Sequence, residues 1–170
     1  MHPLPTSQRL EFRSWKESDL PLAMMLWGDP KVTALIYADP VLSPAQIAER
    51  LQFEIALEQK TGVQYWPIFL RETQEFIGCG GLRARETEHT FEMGCHLRPA
   101  FWGQGIATEF AQTVIPFAFK SLGASALMAG HHPNNAASRH MLASLGFSFL
   151  QEEFYMPTGL WHPFYQLLRD

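Results

Sequence analysis

Cysteine is scarce in this chain of 170 residues: there are two, Cys79 and Cys95, without CxxC spacing. That excludes a disulfide-built scaffold. It fits buried thiols in a reducing compartment, with a disulfide between the two as the lesser alternative. Long apolar runs are missing too, since nothing approaches the roughly 20 residues of a membrane-spanning helix. There is no excess of positive charge: 13 Lys and Arg stand against 17 Asp and Glu, a net charge of -4. Neither nucleic acid nor an anionic membrane is therefore an expected partner. Residues Met1 to Gln8 lack the basic, apolar and small-residue order of a signal peptide, and the expected location is cytoplasmic. Histidines are present, but none in H-E-x-x-H or H-x-x-E-H spacing, and His131 and His132, adjacent in a strand, would face opposite ways. No metal site is expected. Repeats and low-complexity tracts are also lacking. What is present is a chain 46% hydrophobic and 18% charged, read as a single domain over 1–170 with a real core.

Periodicity sets the order of elements. Residues 9–13 alternate and predict a strand with Leu10 and Phe12 inward. Ser18 predicts a cap for a helix that ends at Gly28-Asp29-Pro30, and 31–42 read as irregular. Ser43-Pro44-Ala45-Gln46 opens a second helix to about Lys60, with Ile47, Leu51, Ile55 and Leu57 as its apolar stripe and Gly62 as its stop. Residues 64–71 and 76–83 predict a hairpin, with a bulge or a close backbone approach at Gly78, Gly80 and Gly81. Residues 89–97 form the next strand. It sets Phe91, Met93, Cys95 and Leu97 on one face and Thr90, Glu92, Gly94 and His96 on the other. A helix from Gln104 to Leu122 follows, with Pro116 as a kink. Ser125 to His131 is a strand, 136–145 a helix behind Asn135, and 147–154 and 160–168 two closing strands. The order β-α-α-β-β-β-α-β-α-β-β argues an α/β (α+β) layer fold on one mixed sheet.

The stretch Leu97 to Glu109 draws the most attention. A strand runs into a Pro break, then Gly103 and Gly105, then a helix at once. Such a turn leaves backbone N–H groups unpaired beside the positive end of a helix dipole, which suits a phosphate or pyrophosphate. A tight strand–helix turn with no ligand reads equally well from these residues alone. Glu109, in the first helical turn, is read as structural.

Taken with other segments, this loop resembles a known family. Arg9-Leu10-Glu11-Phe12-Arg13, Phe76-Ile77-Gly78, Phe91-Glu92-Met93-Gly94, Trp102 to Glu109, Asn135-Ala136-Ala137-Ser138-Arg139 and Leu145-Gly146-Phe147 occur in an order similar to the GCN5-related N-acetyltransferases (GNAT), in particular the RimJ/RimL-type branch. The resemblance implies a twisted, mostly antiparallel mixed sheet of about seven strands flanked by about four helices, in keeping with layered folds. It implies acetyl-CoA as cofactor, with direct acetyl transfer to a primary amine. A protein N-terminal amine leads as acceptor. The alternatives are a small amine (an amino acid, a polyamine or an antibiotic) and a non-catalytic acyl-CoA-binding module. A monomer or a homodimer is expected.

The same resemblance assigns candidate residues. Trp102, Gly103, Gln104, Gly105, Ile106 and Ala107 match the pyrophosphate loop, with Trp102 where Gln or Arg is commonest, and Thr108 continues it. Leu97 ends the strand that splays to admit the pantetheine arm. Glu92 is the candidate base, with a salt-bridged strand acid as its plainer reading. It lies four residues from His96, about 13 Å along a strand, too far for a direct pair. Ser138 is the candidate acid and a cofactor contact, because the position of the family's frequent Tyr holds Leu142; a backbone-bonded helix Ser is the alternative. Asn135 serves as helix cap and cofactor contact. Arg139 meets CoA phosphates or is simply a solvated charge. His131 is a possible proton relay at the cleft. Trp15, Trp27, Tyr37, Tyr65, Trp66 and Trp161 are core or acceptor wall.

Overall fold

The computed structural model describes residues 3–169, so the reading of Met1 and His2 lies outside the described residues. Seven strands make one sheet in the order β1-β2-β3-β4-β5-β7-β6. They are β1 (Leu10–Phe12), β2 (Tyr65–Leu70), β3 (Phe76–Ala84), β4 (Thr90–Leu97), β5 (Ala126–Gly130), β6 (Ser148–Tyr155) and β7 (Leu160–Leu168). The β4–β5 pair is parallel and the remaining pairs are antiparallel. The helices are α1 (Leu20–Trp27), α2 (Pro30–Thr33), α3 (Pro44–Thr61), α4 (Ile106–Pro116) and α5 (Ala136–Ser144). No helix among the described residues is long and apolar enough to cross a membrane.

Each face of the sheet has its own core. Met93 and Leu97 of β4 join Phe110, Val114 and Phe117 on the α4 face. Tyr65 and Cys79 join Trp15, Trp27, Ile47 and Leu51 on the α1/α3 face. The alternation expected of β4 therefore holds. It also separates the two cysteines: Cys79 packs with one cluster and Cys95 against the other, and both thiols are free.

Local chemistry explains most boundaries. Ser43 and Gln46 form a reciprocal capping box on α3, and Gly62 closes that helix in the left-handed conformation at φ 77°. Opposite Ile68 and Phe69 the β2–β3 register slips at Ile77, the expected irregularity beside Gly78. There a Cβ would overlap the His96 carbonyl oxygen.

Several expectations are corrected. Ser18 is not the cap of α1; Asp19 stands at the N-cap position, and its side chain turns back to accept from the Lys16 N–H at 2.8 Å and from Arg13 rather than capping the helix. Residues 30–33 form the short α2, capped by Asp29. The third buried position on α3 is Glu54 rather than Leu57. The helix after the glycine loop starts at Ile106, because Gly103 and Gly105 both lie in the left-handed region. Pro116 has no N–H to give Gln112, and the helix continues as a π-helical turn over Phe117–Ser121.

Candidate active site

The pairing of β4 with β5 stops early. Thr90, Phe91 and Glu92 face Ala126, Leu127 and Met128, and no further rungs form. From Met93 to Leu97 the β5-facing edge of β4 has no strand partner, and a cleft of about 630 Å³ opens there. Its lining joins Leu97, Trp102, Gly103, Gly105, Ile106, Ala107 and Thr108 from the loop and α4 to Asn135 and Ser138 from α5. Residues far apart in the chain thus share one wall.

The loop is built to present donors. Phe101 and Trp102 close a turn onto Arg98 and Pro99, and the next backbone bond inward is Glu109 N–H to Gly105 O at 3.0 Å. Between them, the N–H groups of Gly103 to Thr108 find no acceptor among the described residues. A Cβ at Gly103 would stand in open space at φ 71°. Glycine is there for its backbone conformation and for close approach, not to relieve crowding. Unpaired N–H groups at the start of α4 fit an anionic phosphate group.

Other side chains brace this loop. The indole N–H of Trp102 donates to Leu97 O at 2.9 Å, tying the loop to the end of β4. Glu109 faces the opposite way, accepting from the Ser7 hydroxyl at 2.7 Å and from the Arg9 N–H at 2.9 Å. Burial pushes its carboxyl up, but these bonds and the Arg9 guanidinium outweigh it and hold it below its ordinary value. Glu109 is structural, as expected. The Gln104 side chain turns back to Ala100 O at 2.8 Å, and Gln104 does not line the cleft. Arg139 is exposed and outside it as well.

Of the catalytic candidates, both border the cleft. Glu92 Oε2 accepts from Arg85 at 2.9 Å, and Arg85 also holds Glu153 at 2.8 Å. Glu92 Oε1 has no partner among the described residues. Asn135 caps α5 by accepting from the Ser138 N–H at 3.0 Å, while the Ser138 hydroxyl is left without a partner among them. His131 is buried against Tyr165; its Nδ1 lies 2.8 Å from His132 O. A carbonyl only accepts, so that nitrogen carries the hydrogen, and Nε2 is left without a partner. No group of His, Cys, Asp and Glu among the described residues is placed to hold a metal ion.

Away from the loop the cleft is walled by Lys31, Val32, Leu35, Ile36, Arg50, Tyr65, Arg83, Tyr155 and His162. Ala38 N–H donates to Pro157 O at 2.8 Å, joining the 31–42 segment to the β6–β7 turn. Of the expected aromatic wall, Tyr65 borders the cleft, whereas Trp15, Trp27 and Trp66 are core. Burial, reinforced by Arg50 and Arg83, holds His96 well below its ordinary value, so it is neutral. A feature not foreseen is buried Glu54, which pairs with Arg83 and accepts from the Tyr65 N–H at 3.0 Å. Its position, seven residues after Ile47 and three after Leu51, was the available signal: it falls on the buried stripe of α3.

A mixed sheet with one splayed parallel pair and a donor-rich loop at the mouth defines a class of ligand-binding α/β fold. The family model for the GNAT acetyltransferase domain matches residues 9–148, and the chain belongs to that family. It is an N-acetyltransferase of the GNAT type. It is 30% identical over 142 residues to the uncharacterized N-acetyltransferase p20 of Bacillus licheniformis, covering 83% of this chain and 80% of that one. Among solved structures, RimL, a ribosomal-protein alpha-N-acetyltransferase in complex with coenzyme A, shares the fold with a TM-score of 0.80, 20% identity and 96% coverage of both chains. The spermidine N-acetyltransferase of Vibrio cholerae, in complex with CoA and spermine, does so with a TM-score of 0.78, 15% identity and coverage of 95% and 96%.

Proposed function

We propose that this enzyme acetylates the α-amine at the N-terminus of a peptide or protein, using acetyl-CoA. The observation that carries the choice of acceptor is the charge of the wall: its carboxylate is Glu92 alone, already paired with Arg85, and Arg83 is paired with Glu54, which leaves Lys31 and Arg50 as cations without a carboxylate partner among the described residues. A polyamine carries several positive charges and would meet a field of its own sign there. A single terminal amine does not have that difficulty.

Acetyl-CoA supplies an activated thioester. The free N–H groups of Gly103 to Thr108 hold its pyrophosphate, and the unpartnered edge of β4 from Met93 to Leu97 receives the pantetheine as an added strand. The acceptor nitrogen then forms a bond to the thioester carbon as the carbon–sulfur bond breaks. Glu92 takes the proton lost by the amine, directly or through a water at its unengaged Oε1. The Ser138 hydroxyl gives a proton to the departing thiolate, and solvent restores it. Backbone N–H groups on the open edge of β4 stabilise the oxyanion.

An acceptor panel tests the proposal. N-terminal peptides, free amino acids and polyamines are compared with acetyl-CoA by release of free thiol. Peptides are expected to give the highest kcat/KM. Faster turnover of spermidine than of any peptide would overturn it.

A further inference from the structure

Arg50 stands apart from the other arginines. It lies on α3, and its guanidinium carbon sits 4.6 Å from the Trp27 ring centroid and 5.6 Å from that of Tyr37. One of its Nη atoms donates to the Tyr37 hydroxyl. Its Nε is buried and makes no hydrogen bond. Every other half-buried arginine meets a carboxylate: Arg13 meets Asp19, Arg83 meets Glu54, Arg85 meets Glu92 and Glu153, and Arg98 meets Glu75. Arg50 meets none among the described residues, yet it borders the cleft.

A guanidinium offers five N–H donors in a planar fork that matches a carboxylate. Contact with the Trp27 ring and the bond to the Tyr37 hydroxyl fix the head group, and its remaining Nη–H donors are left to meet an anion. A partly desolvated cation without a counter-charge is costly for a fold, and an arriving anion would relieve that cost. Lys31, on α2 along the same wall, also lacks a carboxylate partner among the described residues. The acid one helical turn along α3, Glu54, is engaged by Arg83 and the Tyr65 N–H. Burial pushes the hydroxyls of Tyr65 and Tyr155 up, so both stay neutral. This cationic wall belongs to a chain whose net charge is -4, so it is a local arrangement rather than a property of the whole surface.

We propose that Arg50 and Lys31 form an anion-recognition subsite that selects acceptors carrying a carboxylate close to the reacting amine, such as N-terminal segments with Asp or Glu among their first residues. The inference rests on the N-terminal reading for its peptide form; its chemistry is the carboxylate. Arg50 supplies the directional contact and Lys31 a second positive charge.

The test compares isosteric acceptors. Peptides beginning Ser-Asp and Ser-Asn, identical elsewhere, form one pair, and the α-amides of glutamate and glutamine, which lack the α-carboxylate, form another. The wild type is expected to prefer the acid member by about tenfold to a hundredfold in kcat/KM, the range of a charged hydrogen-bonded contact. In Arg50→Gln the acid-to-amide ratio falls toward one. Arg50→Lys keeps the charge but loses the fork, so its ratio lies between. Lys31→Gln lowers the ratio less and provides the readout if Arg50→Gln does not fold. A merely structural Arg50 would lower both members of a pair and leave the ratio where it was, which overturns the proposal. So does a wild-type ratio near one. Preference within the amino-acid pair with no peptide turnover would refute the N-terminal reading and leave the subsite standing. Calorimetric binding of the same pairs in the presence of CoA reads the ratio even without turnover.

Discussion

Replacing Gly103 with alanine separates backbone conformation from ligand contact. Gly103 sits at φ 71° with nothing within 4 Å of a built Cβ, and Gly123, at the end of the π-helical turn, sits at φ 67° with the same open surroundings. In both places alanine meets no steric overlap, so the cost is that of the left-handed backbone, about 1–2 kcal/mol. For a chain of this size each kcal/mol lowers Tm by about 2–4 °C, so both variants should melt about 2–8 °C below wild type. They differ in what lies alongside. Gly103 borders the cleft and opens the run of unpaired N–H groups, whereas Gly123 is remote from the cleft lining. A methyl group at Gly103 holds an anion away from at least one charge-assisted donor. Each such bond is worth about 1.5–3 kcal/mol, or about tenfold to a hundredfold in Kd for CoA. Calorimetric titration with CoA, together with melting curves of Gly103→Ala and Gly123→Ala, gives both quantities. Equal CoA affinity in the two variants, at matched melting temperatures, would refute the assignment of this loop as the pyrophosphate cradle.

Further consequences are open to measurement. Glu92→Gln should lower kcat by about a hundredfold or more while leaving CoA affinity near wild type, as loss of a proton acceptor does; unchanged kcat would remove Glu92 from the chemistry. Gly78→Ala drives a Cβ into the His96 carbonyl oxygen, and should cost about 3 kcal/mol or prevent folding, read by urea denaturation. Cys79 is fully buried and burial pushes its thiol well up, so it should not react with a thiol reagent at pH 8 until the chain unfolds; modification of Cys79 in the folded chain would contradict its packing. Glu109 sits below its ordinary value of 4.5 when folded. The folded state therefore binds fewer protons than the unfolded one, and this contribution is present above about pH 4.5 and lost as pH falls through the folded value. Melting temperature should fall less steeply below pH 4.5 in Glu109→Gln than in wild type, and identical slopes would contradict the Ser7–Arg9–Glu109 network.

What the chain determined by itself is local. Ser43 with Gln46, Asn135 with Ser138, and the left-handed glycines 62, 123 and 146 mark helix ends because capping and positive φ involve residues only a few positions apart. Alternation in 89–97 assigned the two faces of β4 because side chains in a strand repeat every second residue. The glycine loop was visible for the same reason: its donors are exposed by its own backbone conformation. The tertiary structure alone decided which strands meet. The β4–β5 pairing ends after Glu92 and Met128 because the strands diverge, a splay that the family resemblance implied but that the periodicity of neither strand encodes. Packing also decided which charges meet. Arg85 could have been solvated, yet it meets both Glu92 and, 68 positions away in sequence, Glu153. Arg83 finds Glu54 buried on α3, whereas Arg50, against Trp27 and Tyr37, makes no salt bridge among the described residues. Whether a charge is paired depends on neighbours far away in the chain, so the wall that faces the acceptor emerges only once the sheet and its helices are assembled.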